Sequence, residues 1–166
     1  MEKQIVVNYL GEEHIVRPEL CCYCVKTAMD RFLESEGFEP EHKEPLYGLA
    51  LQLHGFGEYG EPAIPTVNLG ELISIKDATH IDINNYGYEM VEALSNAGIL
   101  TDTGLTFQSG FVRYPVCVFT EDFIATYAND AYKMYSDAHD AYFEALEKEW
   151  NDIENEDPDY YDDGDR

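Results

Sequence analysis

The chain has 166 residues, of which 34 are Asp or Glu and 10 are Lys or Arg, giving a net charge of −24. A surface this negative repels DNA, RNA and anionic lipid, which argues against direct nucleic-acid or membrane-surface binding and in favour of basic partners. A hydrophobic fraction of 45% is that of an ordinary globular chain and excludes wholesale disorder, and the length fits one compact domain with an appended arm.

No stretch approaches the roughly 18 consecutive apolar residues of a transmembrane helix. The opening Met-Glu-Lys-Gln-Ile-Val-Val-Asn lacks the apolar core of a signal peptide. Cys21, Cys22 and Cys24 lie together and Cys117 stands apart, which suits a reducing compartment better than a disulfide framework. These features predict a cytoplasmic protein.

Residues 4–9 are β-branched and apolar and predict a strand, which turns at 11–13 and returns over 14–17 until Pro18. From Leu20 to Glu36 the four-residue recurrence of Leu20, Cys24, Ala28 and Phe32 predicts a helix stopped by Gly37. Residues 38–45 are a polar connector. Strands are expected at 46–53, 63–69 and 78–83, with a hairpin loop at 54–60. A short helix follows over 88–97, then a turn at 101–106 and an apolar strand over 109–119. Thr120 is a good N-cap, and no Pro or Gly intervenes before Pro158, so one long amphipathic helix is predicted over 121–150. Residues 151–166 hold eight acids and predict a flexible, disordered acidic tail. The expected fold is α+β. Residues 1–119 form a domain with a small, mainly antiparallel sheet flanked by helices, the long C-terminal helix occupies 120–150, and the tail follows.

Three segments carry a resemblance. They are Glu61-Pro62-Ala63-Ile64-Pro65-Thr66-Val67-Asn68-Leu69, then Ile81-Asp82-Ile83-Asn84-Asn85, then Ser109-Gly110-Phe111-Val112-Arg113-Tyr114-Pro115-Val116. In this order and spacing the chain resembles, over about residues 46–119, a domain-of-unknown-function family of small acidic proteins carried by phages, plasmids and conjugative elements of bacteria. The resemblance implies an accessory protein of a mobile element rather than a metabolic enzyme, and transfers no catalytic residue. Read on their own chemistry, Asn84 and Asn85 suit an Asx-turn, with Asp82 accepting backbone N–H groups.

Candidate chemistry is sparse. Cys21-x-x-Cys24 lacks the second ligand pair of a structural zinc site and the βαβ setting of a redox motif, and reads as buried small side chains on a helix. Cys117 lies inside the apolar run Val116–Phe119, without a nucleophile motif to pair with His14, His54 or His80. Gly55, Gly57 and Gly60 have the spacing G-x-G-x-x-G, but Glu58 and Glu61 would repel a pyrophosphate and Pro62 follows instead of a helix, so a hairpin turn is expected. The tail acids do not match a calcium loop. No cofactor or metal is expected.

The acidic face of the long helix is the remaining signal. Asp130, Asp137 and Glu144 recur every seven residues, with Asp140 and Glu147 close by. Asp137, Asp140, Glu144 and Glu147 advance about 4.5 to 6 Å per step, on the scale of phosphate spacing along a nucleic-acid strand. Tyr127 and Tyr132 on the same helix suit an Arg-rich partner surface. These seven residues are the expected partner contacts. The function expected is a non-enzymatic inhibitor of a bacterial defence system, an acidic nucleic-acid mimic that occupies the basic groove of a CRISPR effector or restriction enzyme. The alternatives are an acidic adaptor that binds a protein through its aromatic helix, and a zinc- or thiol-dependent enzyme.

Overall fold

The structure is a computed structural model and describes residues 3–156. It is α+β, as expected, but the strands form two three-stranded antiparallel sheets instead of one. The first has the order β1 (Ile5–Tyr9), β2 (Glu12–Val25), β3 (Leu46–His54). The second has the order β4 (Ala78–His80), β6 (Val112–Phe119), β5 (Leu100–Ser109). Thr79 joins them, its hydroxyl donating to the Leu49 carbonyl at 2.8 Å. Tyr23 also reaches Thr79, and its ring lies over Gly48, where any side chain would collide with it.

The N-terminal half is where sequence and structure part most. The predicted helix over 20–36 is a strand to Val25, followed by the short helix α1 (Ala28–Ser35). Val16, Pro18 and Leu20 are buried in strict alternation, and that burial decides for a strand. Pro18 does not end it. Pro18 sits opposite Leu53, whose N–H and C=O are both turned to Ala63, so the ladder asks no amide of Pro18 there. The predicted strand 63–69 is irregular, with isolated bridges at Ala63 and Thr66, because Pro62 and Pro65 remove the donors a ladder needs. The predicted turn at 101–106 is part of β5, and its Asp102 and Gly104 mark a register shift between Asp102 and Thr106. The apolar strand begins at Val112, after a Gly110–Phe111 turn, and not at Ser109.

Several expectations hold. The glycine-bearing loop after β3 is a turn, and it returns the chain so that Ala63 pairs with Leu53. Asp82 caps the one-turn helix α2 (Ile83–Tyr86), accepting from the Asn85 amide N–H at 3.3 Å and its side chain at 2.7 Å. The helix expected over 88–97 is α3 (Glu89–Asn96). It buries Met90, Val91 and Leu94 against β1 and β5.

The long helix predicted over 121–150 is two helices, α4 (Glu121–Tyr127) and α5 (Asp130–Glu156). Thr120 caps α4 as expected, accepting from the Phe123 amide at 3.1 Å. The break comes from Ala128, which is extended at φ −56 and ψ 134, and from Asn129. Asn129 Oδ1 accepts from the Tyr132 amide at 3.0 Å, capping α5, while its Nδ2 donates to the Leu20 carbonyl at 2.9 Å. At its other end α5 takes in residues 151–156, the start of the expected tail. The remainder of that tail, 157–166, lies outside the described residues. Among the described residues no helix is long and apolar enough to cross a membrane.

α5 packs on β2 and β3, and Asp77 clamps it from the side. Tyr132 donates to the Asp77 carboxylate at 2.7 Å, and the Asp77 amide donates to the Tyr135 hydroxyl at 2.7 Å. Replacing Asn129 by Ala removes the α5 cap and strands the Leu20 carbonyl together. Thermal or urea unfolding is expected to show a loss of about 1–3 kcal/mol, with α5 helicity reduced in circular dichroism.

Candidate functional site

α5 is amphipathic. Tyr135 and His139 are buried on one side, and the acids project from the other. Twenty-seven residues at 1.5 Å each make it about 40 Å long. Asp130, Asp137, Asp140, Glu144 and Glu147 are all exposed.

They are not equivalent. Lys133 pairs with Asp137 at 2.7 Å, and Lys76 pairs with Asp140. Among the described residues no ion pair engages Asp130, Glu144 or Glu147. Half of the four-acid ladder is therefore neutralised within the chain, and the uncompensated charge moves toward the C-terminal end. Glu149, Asp152 and Glu154 extend it there, all exposed, and Lys148 is the single cation from 141 to 156. Acids at this end oppose the helix dipole, and the last turn carries no basic residue to offset them.

The two tyrosines expected at the contact are committed inside the fold. Tyr127 belongs to α4, is half-buried and stacks on Phe123 with ring centroids 4.7 Å apart. Tyr132 holds Asp77, and burial together with that carboxylate pushes its hydroxyl up to about 12.

Sequence reasoning missed a different aromatic. Trp150 is 66% exposed and Ile153 60% exposed, and both continue the stripe that runs through Tyr135, His139, Tyr142 and Leu146. Met29 of α1 is 54% exposed. Met29, His42, Tyr142, Leu146 and Glu149 line a shallow groove between α1 and α5. The signal was the spacing of Trp150 and Ile153 from Leu146. A helix expected to end at Trp150 leaves Ile153 out of that spacing.

Cys21 and Cys24 lie on β2, three residues apart and so on opposite faces, in place of the shared helical face expected. Cys24 is exposed and Cys21 half-buried, so the reading of both as buried side chains does not hold. Cys117 is buried, and burial pushes its thiol up to about 12, the reverse of an activated nucleophile. It lies opposite Thr79, so alternation sends the neighbouring His80 to the other face, against Phe107. His14 stacks on Phe56, and His54 pairs with Glu19 at 2.7 Å. Among the described residues no group of three His, Cys, Asp or Glu is arranged to hold a metal ion.

Comparison of the chain with protein-family models, with curated proteins and with solved structures finds no match.

Two outcomes test these environments. Burial lowers the pKa of His80 to about 4 and that of His139 in the same direction. Below about pH 6.5 the unfolded chain binds protons that the folded chain refuses, so stability falls as the pH drops from there toward 4. Melting temperatures across the upper part of that window, above the carboxylate range, are expected to decline with pH, and His80→Asn to flatten the decline. In thiol labelling of the native protein, Cys24 is expected to react first and Cys117 only on unfolding.

Proposed function

We propose that this chain is a non-enzymatic acidic protein that binds the basic nucleic-acid groove of a bacterial defence nuclease, a CRISPR effector or a restriction enzyme, and inhibits it by setting carboxylates where phosphates would lie. The observation that carries the reading is the uncompensated acidic end of α5. Glu144, Glu147, Glu149, Asp152 and Glu154 stand exposed within three turns of one helix with a single lysine among them. This arrangement costs the isolated chain stability, because the like charges at i, i+3 (Glu144 with Glu147, Glu149 with Asp152) are neighbours on the helix surface and repel, and acids at a helix C-terminus oppose the dipole. A groove lined by Lys and Arg reverses both terms through charge-assisted hydrogen bonds. The motif resemblance to proteins of mobile elements fits the same role.

A second reading, the acidic adaptor, is favoured by Trp150 and Ile153, whose exposed apolar surface suits a protein partner more than a purely electrostatic one. Both readings place the contact on α5 and differ in whether nucleic acid competes for it.

The experiment is capture of a partner on the immobilised full chain, followed by competition with duplex DNA and a salt series. Mimicry predicts displacement by DNA and an affinity that falls steeply with salt. The triple variant Glu144→Gln, Glu147→Gln, Glu149→Gln is expected to bind more than tenfold weaker and to melt no lower than the parent. Asp137→Asn, which removes an acid already paired with Lys133, is expected to change binding little. A partner held equally tightly by the triple variant, or indifferent to DNA, rejects mimicry by this helix.

A further inference from the structure

The groove between α1 and α5 is walled by more than apolar surface. It measures about 220 Å³, and Asp30, Glu41 and Glu149 share its lining with Met29, Tyr142 and Leu146. None of the described residues that line it is Lys or Arg. Asp30 is only 3% exposed. Its carboxylate accepts from the backbone N–H groups of Glu41 at 2.7 Å and His42 at 3.2 Å, which fixes the connector after α1 as one wall. Among the described residues no ion pair engages any of the three acids. Their charge converges on Tyr142: burial pushes its hydroxyl pKa up, and Asp30, Glu41 and Glu149 push it further. The His42 ring meets the Tyr142 ring edge to face, with centroids 4.8 Å apart. Its Nε2 is closed from solvent and has no hydrogen-bond partner among the described residues. A buried polar atom left in that condition is uncommon in a folded protein.

We propose that this groove receives one arginine side chain of a protein partner, with the aliphatic stem along Met29 and Leu146 and the guanidinium between the Tyr142 ring and the carboxylates of Glu41 and Glu149. Small-molecule and cofactor sites commonly enclose about 300–1,000 Å³, so a groove of this size suits a single side chain. Three carboxylates without a counter-ion call for a cation. Aromatic and apolar walls call for one with a long stem and weakly held water. A guanidinium is more weakly hydrated than an ammonium, stacks on aromatic faces and meets carboxylates through a planar fork. One of its N–H groups can also donate to His42 Nε2 on a ring protonated at Nδ1. Charge disfavours the other occupants. A second copy carries −24, and the segment 157–166 of the chain itself holds five Asp against one Arg. That the arginine belongs to a protein rests on the reading of α5 as the contact for a basic partner; the preference of the groove for a guanidinium does not.

The test is a titration of the full chain, labelled with carbon-13 at its methionine methyl groups, followed by NMR. The probes are acetyl-Gly-Arg-Gly-amide, its lysine counterpart and its citrulline counterpart, which keeps the shape of arginine without the charge. The arginine peptide is expected to move the Met29 signal to saturation. Met90, fully buried, and Met134, exposed about 18 Å along α5 from Leu146, are expected to stay still. The lysine peptide is expected to bind at least about threefold weaker, and the citrulline peptide not to saturate. Tyr142→Leu is expected to weaken the arginine peptide about fivefold. Should that variant unfold, Glu41→Gln carries the test: the side chain is exposed, its backbone bond to Asp30 is kept, and a loss of about threefold is expected. The proposal is overturned by equal responses to the three peptides, by a preference for lysine, or by Met134 moving together with Met29. A Met29 signal unmoved at millimolar peptide, or folded variants that bind unchanged, also overturns it. Arg166→Ala is expected to leave the titration as it is; a variant that binds the arginine peptide much more tightly assigns the groove to the chain's own arginine and rejects a partner's. The titration uses neither captured partner nor DNA, so its failure leaves mimicry standing, and a partner indifferent to DNA leaves the groove standing.

Discussion

The attachment of α5 to the body depends on Asp77. Its backbone sits at φ 64, a left-handed conformation that Asp tolerates better than most residues. In that conformation its N–H meets the Tyr135 hydroxyl, its carboxylate accepts from Tyr132, and its carbonyl accepts from the Phe119 amide. One residue thereby ties the edge of the second sheet to the first two turns of the long helix. Burial raises the tyrosine pKa values and keeps both hydroxyls protonated, so Tyr132 remains a donor across the neutral range. The acid display beyond these turns is oriented by this clamp, since Lys76, next to Asp77, is also the partner of Asp140.

The charge is organised along the helix. Where α5 is packed, cations of the chain itself answer the acids, at Asp137 and Asp140. Where the helix runs past Leu146, the acids stand without them and the apolar stripe continues into Trp150 and Ile153. The same segment thus combines unbalanced carboxylates with exposed aromatic surface, the composition of an anchor with a charged rim.

The fold class, the strand 46–53, the helix 88–97, the Thr120 cap and the Asp82 turn could be read from residue pattern, because each rests on local chemistry. The N-terminal error has a definite cause. Residues spaced by four fall on one side of either a helix or a strand, so Leu20 and Cys24 do not discriminate between them. The alternation Val16, Pro18, Leu20 did, but Pro18 concealed it, and its tolerance depends on a carbonyl and amide of Leu53 turned elsewhere. The division of the long helix at Ala128–Asn129 was masked by the absence of Pro and Gly, although Asn is itself a strong N-cap. At the candidate site the acids were visible as a row. Their neutralisation was not, because Lys76 approaches Asp140 from 64 residues away.

The link between Asn129 and Leu20 spans 109 residues. Its consequence concerns synthesis. The hairpin of β1 and β2 can pair as soon as it leaves the ribosome, because its contacts are local. The stretch of β2 around Leu20 must wait for β3 and then for residue 129, when most of the chain has been made. Until then that strand offers buried-type side chains and open backbone groups to whatever is nearby. The order of translation thus makes the C-terminal helix the closing step of the N-terminal sheet, and a chain truncated before it would leave the ribosome with that sheet uncovered.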